Sequence, residues 1–351
     1  YMTDSYGVVS GWVFGNDGYM GTAITKRGNK KLTWETTSEF NIGLDLGFFD
    51  NRISLSMEYY NRIISDLLVS NKSLPAYNEI NTIAANIGKT QGRGFELTLS
   101  TVNIMNKDWT WSTDFTFYTF KDNWYERDPN WKPAAYESKK DPIRSYYSYV
   151  SDGLLQVGEK APAWQPTLVP GQIKLKNLYD TGTSPNVLDQ YDKVNLGSQD
   201  PKCTLGLNNT LRYKNLNFNI YFYGEIGRLR GASYYDAWIV GLGNSLTNVS
   251  QQSLHSYTNA NQNTTVPNLI ESAYDFGDYY HKKINYLRCR NITLGYTIPV
   301  SKSIANSVRI SANVSNPFVF TNWNGVDPET DTGNFSYPNV TSFSFGIDIS
   351  F

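Results

Sequence analysis

Only two cysteines and two histidines occur in the chain. Cys203 and Cys289 are too few for a disulfide scaffold or a cysteine-rich metal site, and His255 and His281 stand at no metal-ligand spacing. No run of roughly 18 apolar residues is present, which removes a transmembrane helix but not membrane β-strands, whose apolar residues occupy alternate positions. Charge is scarce as well. Asp, Glu, Lys and Arg make up 18% of the residues, below the roughly 25% of ordinary soluble domains. With 31 basic and 32 acidic side chains, bulk electrostatics supplies no footprint for nucleic acid and no polybasic stripe for an anionic membrane surface. G-x-S-x-G, H-E-x-x-H and Walker sequences are lacking, so the chain reads as a protein that is not an enzyme.

What the chain has is aromatic content, at 15%, and a period of two. Phe343, Phe345, Ile347, Ile349 and Phe351 share one face of the C-terminal segment, opposite Ser342, Ser344, Gly346, Asp348 and Ser350. The same alternation recurs upstream at Val308–Val314, Ile292–Ile298, Leu216–Phe222, Leu205–Tyr213, Trp109–Phe117, Phe95–Leu99, Ile53–Tyr59 and Trp34–Phe48, giving about nine strands. Several reach the roughly 9 to 11 residues that cross a bilayer at a tilt. Tight links at Phe49-Asp50-Asn51, Met105-Asn106-Lys107, Lys214-Asn215 and Val300-Ser301-Lys302 alternate with long polar ones at 74–90, 125–201, 230–283 and 321–338. Aromatics near the tips of the apolar faces (Trp34, Phe48, Trp109, Tyr213, Tyr286) suit an interfacial girdle. This pattern predicts an all-β, antiparallel transmembrane β-barrel with short turns at one end and long loops at the other. A secreted β-sandwich or propeller is the competing architecture, as a carbohydrate-binding protein. Arg288 and Arg290 fall by parity on the lipid-facing side and are expected near a strand end; Cys203 should point outward and Cys289 inward, on strands that are not neighbours.

Leu32-Thr-Trp-Glu-Thr-Thr37 followed by Asn41-Ile-Gly-Leu-Asp-Leu-Gly47 resembles a barrel strand of SusC/RagA-like TonB-dependent transporters. Further segments keep that family's order: Tyr59-Tyr60 with Asp66-Leu67-Leu68, Gly92 to Leu97, Pro170 to Lys174, Leu196-Gly197 before Pro201-Lys202, Tyr286-Leu-Arg288 with Asn291 to Tyr296, Gly325-Val-Asp-Pro-Glu329, Tyr337-Pro338 and the strand ending on Phe351. The resemblance covers roughly the last third of such a transporter. It implies a C-terminal portion of a barrel of about 22 strands, with the plug and TonB box absent from residues 1–351. The short turns would then be periplasmic, and 125–201, with hairpins of its own around 145–156, and 230–283 would be extracellular loops.

The resemblance further implies a multi-pass protein of a Bacteroidetes-type bacterial outer membrane that imports an oligosaccharide or oligopeptide. Its implied partners are outer-membrane lipid, a SusD/RagB-like surface lipoprotein and, through the missing N-terminal part, the TonB-ExbB-ExbD complex; a dimer of transporter–lipoprotein pairs is compatible. A passive porin is the alternative within the same architecture. Phe351 resembles the terminal aromatic of an assembly signal. Asp180, Asp189 and Asp192 lie where many family members carry a calcium-like loop, and their oxygens suit a hard cation. Ser184-Pro185 interrupts that run, so a plain polar loop with no cofactor is the simpler reading. Asp327-Pro328-Glu329 is expected to shape a loop, with Pro fixing φ and Asp capping the turn. Candidate ligand contacts are the loop and lumen aromatics Trp124, Tyr125, Trp131, Trp164, Tyr221, Tyr223, Tyr234, Tyr235, Trp238 and Trp323, whose flat faces stack on sugar rings; packing of loops is their other use.

Overall fold

The computed structural model describes residues 2–15, 17–74, 80, 82–129, 132–179, 186–231, 251–268, 276–300, 305–325, 327–330 and 337–351. The chain divides into two units. One comprises residues 1–41, 60–93 and 122–132, and the other 42–59, 94–121 and 133–351.

The first unit holds two hairpins. β1 (Ser5–Phe14) pairs with β2 (Asp17–Lys26), and β5 (Leu68–Ser73) with β6 (Thr82–Asn86). Asn86 ties this unit together: its side-chain amide donates to the carbonyls of Thr33 and Asp66, and its Oδ1 accepts the Thr33 N–H at 2.9 Å. Neither hairpin carries a clean alternation, and periodicity does not find them.

The nine alternating segments are strands of one antiparallel sheet. They are β3 (Thr36–Phe48), β4 (Ile53–Ser65), β7 (Lys89–Met105), β8 (Trp109–Glu126), β13 (Cys203–Tyr213), β14 (Leu216–Gly231), β15 (His281–Ile298), β16 (Ser307–Thr321) and β17 (Ser342–Ser350). Their order follows the sequence, and the sheet is open, with β3 and β17 at its edges. Trp34 precedes β3 instead of joining it. Strands also extend further into the long links than alternation suggests, since Tyr125, Arg230 and Lys283 are still strand residues.

Turn chemistry explains the short links. Between β7 and β8 the Asn106 side chain accepts the N–H groups of Asp108 and Trp109, at 3.1 and 2.8 Å. Lys214 takes a φ of +48° in the two-residue link of β13 and β14. The link after Val300 falls largely outside the described residues.

The two faces of the sheet differ as the alternation requires. Leu294, Tyr296, Ile310, Phe343, Phe345 and Ile347 stay exposed on one face. Large apolar side chains exposed on neighbouring strands of one face mark a surface made to be covered by something other than water. The opposite face is a hydrogen-bonded lattice: Asp114 accepts from Ser100 and Asn208, Asn219 donates to Asn208 and Thr210, and Thr293 donates to Asn313.

Four short strands lie in the long link before β13: β9 (Ser145–Ser148), β10 (Ser151–Leu154), β11 (Ile173–Leu175) and β12 (Val194–Ser198). The expected local hairpin around 145–156 does not form. β9 pairs with β12 and β10 with β11, because Leu154, Ile173 and Leu175 build a buried core with Tyr257 from the next long link. Burial of that cluster favours the long-range pairings over a local turn.

Candidate functional site

Two β-bulges decide what the polar face presents at the long-loop end of β14 and β15. Up to Tyr221, β14 pairs with β15 in strict register, Tyr221 opposite Asn291; the next pair is Phe222 with Cys289, so Arg290 is the extra residue. One inserted residue reverses the parity of everything before it in β15. Leu287 therefore takes the apolar face, while Tyr286 and Arg288 take the polar one and are buried. Alternation read through Arg290 placed both arginines toward lipid, Tyr286 in the girdle and Cys289 inward. Arg288 and Tyr286 lie on the opposite face, and Cys289 sits on the apolar side between Phe222 and Phe318. Cys203 pairs with Ile226 on the apolar face as expected, and both thiols are free. The second bulge sits at Gly227, whose φ of +76° is open to glycine and strained for other residues.

The buried Arg288 guanidinium meets the connection between β16 and β17. Its Nη2 lies 2.9 Å from Asp327 Oδ2 and its Nε 3.4 Å from Glu329 Oε1, while Arg290 Nη2 reaches Glu329 Oε2 at 3.0 Å. Asp327 Oδ1 also accepts the Glu329 and Thr330 N–H groups, and Oδ2 that of Asn339. The turn-capping role expected for Asp327 is thus present, joined to an ion pair that the sequence reading assigned to neither partner. Burial opposes the Asp327 charge, but the Glu329 and Asn339 N–H donors and the Arg288 cation outweigh it and hold the carboxyl below its ordinary value of 3.8. Tyr223 faces the same cluster: its hydroxyl donates to Glu225 at 3.1 Å, and the Arg290 guanidinium stands 5.3 Å from its ring centre.

The same connection contributes Trp323, Asn324 and Gly325 to the lining of a cavity of about 390 Å³. Trp323, Tyr279 and Tyr280 supply its rings, Gln252 and Asn324 its amides, and Lys282 a cation. Trp323 is buried against Ile284 and Tyr280, so it is both a packing residue and a cavity wall. Its backbone N–H donates to Thr321 Oγ1, which fixes the chain as it leaves β16.

The remaining candidates divide. Trp164 donates through Nε1 to the Leu175 carbonyl at 2.8 Å and braces the loop core. Trp124 stacks beneath Arg127 at 5.4 Å, and Tyr125 is exposed at the end of β8. Tyr221 lies on the polar face, opposite Asn208 and Asn291. Trp131, Tyr234, Tyr235, Trp238 and Asp180 lie outside the described residues. The other two members of the calcium-like loop bind backbone. Asp192, fully buried, accepts the Leu178 and Tyr179 N–H groups on one oxygen and that of Asp189 on the other, and Asp189 Oδ1 accepts from Tyr191. Among the described residues no three His, Cys, Asp or Glu side chains converge as metal ligands. Sequence reasoning missed Lys282, Tyr279, Tyr280 and Gln252 because they stand in or beside a link whose folding depends on distant contacts.

Residues 4–316 match the family described as "TonB dependent receptor-like, beta-barrel". TonB-dependent receptor P3 of Formosa agariphila is 29% identical over 97% of this chain and 36% of its own length. TonB-dependent receptor SusC of Bacteroides thetaiotaomicron is 27% identical over 95% of this chain and 34% of its own. The chain thus spans about a third of the length of these relatives. Among solved structures, one described as the RagAB peptide transporter superposes with a TM-score of 0.77 at 24% identity, over 100% of this chain and 39% of that one.

Proposed function

The chain belongs to the TonB dependent receptor-like β-barrel family, and on that premise we propose that it supplies C-terminal barrel wall to an outer-membrane importer of the SusC/RagA kind. The observation that carries the reading is the two-faced sheet. An exposed apolar face suits lipid, and a hydrogen-bonded polar face suits a lumen. In a bilayer every backbone polar group needs a partner, so the free edges of β3 and β17 call for further strands. The relatives above are named as receptors and not as enzymes.

In this reading the short turns are periplasmic and the folded long links extracellular. There they meet a SusD-like lipoprotein, and an oligosaccharide or oligopeptide is passed into the lumen when TonB displaces the plug. Phe351 serves the assembly machinery as the terminal aromatic. The test is deletion of the full-length gene in its own bacterium, with membrane fractionation and growth on glycan or peptide as sole nutrient. Recovery of the protein in the outer membrane, with loss of energy-dependent uptake on deletion, is the expected outcome. Uptake that persists after the proton-motive force is collapsed indicates a passive porin, and a soluble, monodisperse product made without detergent removes the barrel.

A further inference from the structure

We propose that the cavity walled by Trp323, Tyr279 and Tyr280 is a subsite for the acidic end of an oligosaccharide, a uronate or sulfated hexose; this rests on the import reading above and names the class of its cargo. The volume, about 390 Å³, falls within the roughly 300 to 1,000 Å³ of small-ligand sites. Ring faces stack on the apolar faces of sugars, and Gln252 and Asn324 can satisfy hydroxyl groups as donors and acceptors.

Charge supplies the acidic preference. Lys282 lines the cavity, and among the described residues no carboxylate stands within ion-pair distance of it, whereas Arg228, Arg288 and Arg290 on the same face all have carboxylate partners. Directly across the strands from Lys282 is Arg230. Arg230 is buried and donates to the Glu329 carbonyl, so Lys282 is the cation that faces the cavity.

Backbone geometry favours a sugar over a peptide. Peptides commonly bind by adding a strand to a free sheet edge. β15 offers none here: it pairs with β14 on one side, and beyond Thr321 its other side is closed by Asn322, which accepts the Asn285 N–H at 2.8 Å and donates to the Lys283 carbonyl at 3.1 Å.

The experiment is calorimetric titration of the detergent-solubilised full-length receptor with a uronate disaccharide, its neutral counterpart and an acidic dipeptide. The uronate should bind at least tenfold more tightly than the neutral sugar, Lys282→Ala should remove that preference, and Lys282→Arg should restore it. Equal affinity for both sugars, tighter binding of the dipeptide, or no saturable binding by folded receptor overturns the subsite. Energy-dependent uptake of uronate oligosaccharide by cells separates the two readings. Uptake unchanged in Lys282→Ala sinks the subsite and leaves import standing; a wild-type protein that binds uronate but supports no energy-dependent uptake sinks import and leaves the subsite.

Discussion

Arg288 on β15 donates to Asp327 across 2.9 Å, joining a barrel strand to a loop 39 residues further along the chain. Both side chains are buried, and removing Asp327 leaves Arg288 only its longer 3.4 Å contact with Glu329 and strands the three N–H groups that Asp327 caps. Asp327→Ala is therefore expected to cost about 3–5 kcal/mol of local stability. Limited proteolysis of the folded receptor checks this: cleavage between β16 and β17 should speed up in Asp327→Ala.

The same pair sets a pH dependence. Asp327 has its folded-state carboxyl lowered below 3.8, so its contribution to stability is fully present above the unfolded value and is lost as pH falls through the folded one. Loop cleavage in wild type should stay constant from neutral pH down to about 4 and rise only below it. In Asp327→Asn that acid-dependent rise should disappear, measured with a protease active across this range.

Arg290 does two separable things, as a side chain and as a place in the register. Arg290→Ala keeps the bulge and loses an ion pair and a ring contact that are each worth about 1 kcal/mol or less. Deleting Arg290 instead turns Arg288 to the apolar face, at a cost of about 2–4 kcal/mol near a bilayer midplane and less near its surface, besides the lost pair with Asp327. Heat-modified mobility on gels should show folded barrel for the substitution and little for the deletion.

Face assignment is tested on β17. Phe345 and Ser344 are adjacent and point to opposite sides. Phe345→Arg should destabilise refolding into liposomes by about 2–4 kcal/mol if it lies near the midplane, and Ser344→Arg by well under half of that. Denaturant titration followed by tryptophan fluorescence measures both; equal losses would contradict a lipid-facing and a lumen-facing side.

Asp192 supports its loop through backbone contacts alone. Asp192→Ala removes the acceptor of the Leu178, Tyr179 and Asp189 N–H groups, each bond worth about 1 kcal/mol net. Hydrogen exchange at those three amides should accelerate strongly in the variant, with the barrel strands unchanged.

By itself the sequence determined the nine strands, their antiparallel order and which residues share a face along most of each. Alternation is a local property, and a membrane strand must write it into its own residues because lipid and lumen lie on its two sides. Resemblance of ordered segments such as Gly92 to Leu97 and Gly325 to Glu329 then reached the family. Tertiary structure decided the rest. Whether Arg288 meets lipid or Asp327 depends on one unpaired residue, Arg290, and a bulge is visible only when the partner strand is in place. The pairing of β9 with β12, and the gathering of Trp323, Tyr280 and Lys282 around one cavity, follow from burial of side chains distant in sequence, which no period along the chain records.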